Sequence, residues 1–75
     1  MNKARRLKLI KANAYLQMSL NIIETVKDEE ESVLDNMPEN LQYSERAYNM
    51  ENNVDALEEA IEYLNDAIYS IDEVN

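Results

Sequence analysis

Between residues 47 and 71 apolar side chains recur at Ala47, Met50, Val54, Leu57, Ile61, Leu64, Ile68 and Ile71. The steps alternate between three and four without a gap. Only a helix keeps such positions on one face, so this seam constrains the fold more than any other feature. "LEEAIEY" (57–63) and "LNDAIYS" (64–70) are near-repeats sharing Leu-x-x-Ala-Ile. Val54, Ile61 and Ile68 take one seam position, and Met50, Leu57, Leu64 and Ile71 the other. Ala60, Ala67 and Val74 lie beside the seam and widen it, as in a helix with more than one neighbour.

A second helical run is expected over about 3–36. Leu9, Ala12, Leu16, Leu20, Ile23, Val26, Val33, Leu34 and Met37 are read as its inward side, with Lys27 and Glu30 interrupting it near "KDEEE". Leu7, Ala14, Met18 and Ile22 form a second apolar side. That two-sided start signals an interface beyond the hairpin.

The chain contains one proline and no glycine. Pro38 ends the first run, and the residue before it is biased away from α geometry. A corner over 37–43 is expected, with Pro38 at the first position of a short turn, "PENLQ". Asp35 or Asn36 would accept bonds from the freed N–H groups. Leu41 would tuck over the bundle end, and Ser44 would cap a second helix over about 44–74. Tyr43, Arg46 and Tyr48 are residues such a corner does not need. Their types are favoured at binding hot spots.

These elements give an all-α fold: a single domain, 1–75, built as an antiparallel two-helix hairpin of coiled-coil type. Below about 70–80 residues a single core supplies only a few kcal/mol, and disulfides, metals or oligomerisation commonly support it. With no Cys and no His, disulfides and the usual zinc sites are excluded. Oligomerisation or very good helix packing remains. Two hairpins packed into a four-helix bundle would bury the apolar surface that a lone hairpin exposes, so a homodimer is expected.

The same absences narrow the chemistry. No His or Cys exists to activate Ser19, Ser32, Ser44 or Ser70, and no glycine loop can cradle phosphate. The series Asp55, Glu58, Glu59, Glu62 and Asp66 reads as a solvated acidic face. No catalytic residue, metal site or cofactor is expected.

The net charge of −9 is unevenly placed. Lys3, Arg5, Arg6, Lys8 and Lys11 precede every acidic residue, and all 16 acids lie at or after Glu24. An antiparallel hairpin would set this basic start beside Asp66, Asp72 and Glu73 and offset its unfavourable position at a helix N-terminus. The acidic excess argues against direct nucleic-acid or membrane binding. The basic-then-apolar opening is read as mature helix, because Lys11, Asn13 and Gln17 interrupt it.

"NKARR", "DNMPENLQYSER" and the Leu-x-x-Ala-Ile heptads resemble a group of small acidic helical proteins of phages, prophages and bacteria of the Firmicutes type. The resemblance implies a mobile-element origin, a cytoplasmic location and a helical hairpin, with no catalytic residue to carry over. The expected function is a non-enzymatic protein–protein interaction module, with a host protein as a further partner. The alternative is an acidic inhibitor that imitates nucleic acid and occupies a DNA- or RNA-binding protein.

Overall fold

In the computed structural model, which describes residues 1–74, two long helices lie against each other. α1 spans Lys3–Asp35 and α2 spans Glu45–Asp72, with a 3-10 turn at Glu39–Leu41 between them. α1 runs unbroken through "KDEEE". At about 1.5 Å per residue each helix is a rod of roughly 40–50 Å, and the hairpin measures 59 × 15 × 13 Å.

Each end has an identifiable cap. Asn2 accepts a hydrogen bond from the Arg5 backbone N–H at 2.9 Å and opens α1. Without glycine, closing α1 on a left-handed residue is costly, and no described residue has positive φ. Asn36 closes the helix instead. Its backbone N–H and its side-chain amide both donate to the Ser32 carbonyl, at 3.1 and 2.8 Å. Asn36 thus satisfies orphan carbonyls of α1, whereas the sequence reading had it accepting from freed N–H groups.

Pro38 stands one position before the 3-10 turn rather than at its first residue, with ψ of 145° directing the chain out of α1. Ser44 caps α2: its hydroxyl accepts from the Ala47 N–H at 3.2 Å and donates to the Leu41 carbonyl at 2.6 Å. Leu41 itself does not tuck in. It remains 46% exposed, on the rim of an open hollow that it shares with Val33 and Met37.

The α2 seam turns inward as the heptads require. Ala47, Met50, Val54 and Ile68 are buried, and Leu57, Ile61, Leu64 and Ile71 are half-buried. On α1 the inward row is Leu9, Asn13, Leu16, Leu20, Ile23, Lys27, Glu30 and Leu34, again in steps of three and four, with Ala12 half-buried beside it and Met37 continuing it just past the helix. This corrects the sequence reading at Val26 and Val33, which face solvent. Polar Lys27 sits on the seam beside Val26.

The polar seam residues have partners. Lys27 bridges Asp28 at 3.1 Å and Glu31 at 3.2 Å. Its ammonium is held protonated above the usual lysine value by these bonds, first to Asp28 and then to Glu31, against partial desolvation. Glu30 accepts from the Asn53 side chain at 3.1 Å, and Asn13 donates to Asp72 at 3.2 Å. These two cross-helix bonds fix an antiparallel register that brings Leu16 near Ile68, Leu20 near Leu64, Ile23 near Ile61 and Leu34 near Met50.

The expected ion pairs across the hairpin are not formed. Among the described residues Lys3, Arg5, Arg6, Lys8 and Lys11 make no salt bridge to α2. Arg6 shares a groove with Asp72, but it is Asn13 that reaches the carboxylate. Lys11 instead lies 5.9 Å above the Tyr15 ring.

Candidate functional site

A two-helix seam has one layer of buried side chains, so each rod keeps most of its circumference in water. The radius of gyration is 17.3 Å, against about 11 Å for a compact domain of this length. A compact monomer of 8.8 kDa exposes about 4,800 Å²; this hairpin exposes 5870 Å², about 1,100 Å² more.

Much of the apolar part of that surface lies on α1. Leu7, Ala14, Met18 and Ile22 point away from α2 as expected, with Met18 60% and Ile22 63% exposed. Ile10, Val26 and Val33 are exposed beside them. Ile10, Ala14, Met18, Ile22 and Val26 follow one another at intervals of four, a continuous ridge on the helix surface. The sequence reading missed Ile10 and gave both valines to the hairpin seam. The four-residue spacing was the signal that could have found them.

The outer face of α2 is of another kind. Glu51, Asp55, Glu58, Glu59, Glu62 and Asp66 are exposed there, with Tyr63 among them. The Tyr63 hydroxyl donates to Glu59 at 2.7 Å. That bond, then desolvation, then the nearby Glu62 and Asp66 charges, push the phenol above its ordinary value. Among the described residues no three carboxylates are gathered so as to hold a metal ion.

The three corner candidates are not drawn into one patch. Tyr43 is 80% exposed and borders a groove with Leu34, Asp35, Gln42 and Glu51. Arg46 lines a separate open hollow with Val33, Met37, Pro38 and Leu41. Tyr48 is exposed and borders neither. The corner hollow is mostly apolar and wide open, with Ser32, Asn36 and Arg46 as its polar lining. It lies at the far end of the rod from Leu7, so the candidates divide into a stripe on α1 and a scattered group at the corner.

Among the described residues no helix is long and apolar enough to cross a membrane. No family model, curated protein or solved structure matches the chain.

Proposed function

We propose that the chain is a non-enzymatic protein–protein interaction module that works as a homodimer, with two hairpins forming an antiparallel four-helix bundle. The observation that carries this reading is the apolar stripe on the outer side of α1, continuous from Leu7 to Val26 with Val33 beyond Glu29, which the hairpin leaves in water. A contiguous apolar patch of that length on a soluble chain marks an interaction site. The area supports it as well: a standard interface removes about 800 Å² from each partner, most of the surface this hairpin exposes in excess of a compact monomer. A lack of His and Cys accords with a binding rather than a catalytic role.

The test is the molar mass of the purified chain by light scattering after size-exclusion chromatography. Twice the 8.8 kDa chain mass is expected. A monomer at every concentration refutes the reading.

A further inference from the structure

The outer stripe of α1 has a different period from the inner seam. Leu7, Met18 and Glu29 are eleven residues apart, and so are Lys11, Ile22 and Val33. An eleven-residue repeat means about 3.67 residues per turn, close enough to the helix's own 3.6 that the stripe runs almost straight along the rod. It can therefore meet another straight helix over most of its length.

The stripe also reads alike in both directions about Leu20. Leu7 mirrors Val33, Lys11 mirrors Glu29, Ala14 mirrors Val26 and Met18 mirrors Ile22. A two-fold interface requires such self-complementarity, because each residue i that meets j must also be met by it. Four pairs keep this symmetry, apolar with apolar and Lys11 with a charge of opposite sign; Ile10 breaks it, since its mirror is Glu30 on the inner side.

The flanking charges choose the direction. The first part of α1 carries Lys3, Arg5, Arg6, Lys8 and Lys11, and its last part carries Asp28, Glu29, Glu31 and Asp35. Two α1 helices side by side in the same direction would place base against base and acid against acid. In opposite directions each basic half lies along an acidic half, and like charges across an interface disfavour the wrong arrangement. The five basic side chains are available for this, since none is engaged by α2 among the described residues.

We propose that the second copy packs α1 antiparallel on α1, with Met18 opposite Ile22 of the partner subunit, Ala14 opposite Val26 of the partner subunit, and Lys11 opposite Glu29 of the partner subunit. The inference rests on the homodimer reading and specifies its face, direction and register. Because the stripe lies opposite the hairpin seam, the two α1 helices form the middle of the four-helix assembly and the α2 helices its outside, which makes it a flattened bundle. The acidic faces of α2 stay in water, and the two corners project at opposite ends.

The chain has no cysteine, so disulfide trapping needs no prior substitution. Ala14→Cys and Val26→Cys are prepared separately, mixed, and oxidised with copper phenanthroline. Residues 14 and 26 are about 18 Å apart along one helix, too far for a bond between two copies of the same variant in this register. The mixture is expected to give a disulfide-linked pair on a non-reducing gel, and each variant alone to remain a single chain. Met18→Cys mixed with Ile22→Cys probes the same register if either first variant loses its helical circular dichroism. Self-linked Ala14→Cys, or unlinked mixtures of a protein that is dimeric by mass, overturns the antiparallel register while leaving the homodimer intact. A monomeric parent protein overturns both.

Discussion

Leu20 is the one fully inward side chain that α1 contributes to the hairpin, 7% exposed, and Leu20→Ala tests the seam where it is best packed. The substitution removes three carbons. At about 0.8 kcal/mol per buried methylene the transfer loss is roughly 2.4 kcal/mol. Buried Leu→Ala changes in thick cores cost up to about 5 kcal/mol because a cavity remains. Here the seam is one layer deep and open on both sides, so the helices can close up or water can enter, and the cavity contribution is small. The expected loss is therefore about 2–3 kcal/mol. For a domain of this size each kcal/mol lowers the melting temperature by about 4–8 °C, so a drop of roughly 10–20 °C is expected. The assay is thermal unfolding followed by the helical circular dichroism signal, parent and variant at one protein concentration. A melting temperature within about 2 °C of the parent would refute burial of Leu20 and the assigned seam with it.

Two further outcomes follow from single polar groups. Asn13 occupies a seam position with its side-chain oxygen buried and unpartnered, a cost of about 1–3 kcal/mol that exceeds the ~0.5–1.5 kcal/mol of its exposed bond to Asp72. Asn13→Leu is therefore expected to raise the melting temperature by several degrees, and a fall would contradict the assignment. For Tyr63, the neutral phenol is the form that bonds Glu59. Its contribution is present below the unfolded value of 10.0 and is lost as pH rises through the higher folded value. In Glu59→Gln the near-ultraviolet phenolate titration should shift to lower pH, and an unmoved curve would show that the bond does not form.

What the sequence disclosed depended on whether polar residues broke the pattern. The α2 seam has none, and every position from Ala47 to Ile71 turned inward as read. On α1 the inward row includes Asn13, Lys27 and Glu30. Apolar neighbours at Val26 and Val33 invited a reading displaced by one residue, which is a rotation of about 100°. Those valines belong to the outer stripe, whose longer period runs beside the seam on the same helix. Ser44 was legible because a cap is a local property of side chain and backbone. Leu41 was misjudged because its direction depends on the exit angle that Pro38 gives the chain.

The corner residues Tyr43, Arg46 and Tyr48 stand out by type and by being dispensable to the turn; Tyr43 and Arg46 border different hollows and Tyr48 borders neither. The α1 residues were chosen by spacing, and they fall on one continuous face. Spacing carries geometric information that residue type does not.

The measurement that bears most directly on the second copy is sedimentation equilibrium on the parent chain and on a Met18→Glu, Ile22→Glu variant. Both positions are exposed in the single hairpin, so the charges cost little there and are expensive only if another apolar surface covers them. The parent is expected at twice the 8.8 kDa chain mass and the variant at the single-chain mass with its helical signal retained. Equal masses for the two proteins, whether single or double, would contradict an interface built on the outer stripe of α1.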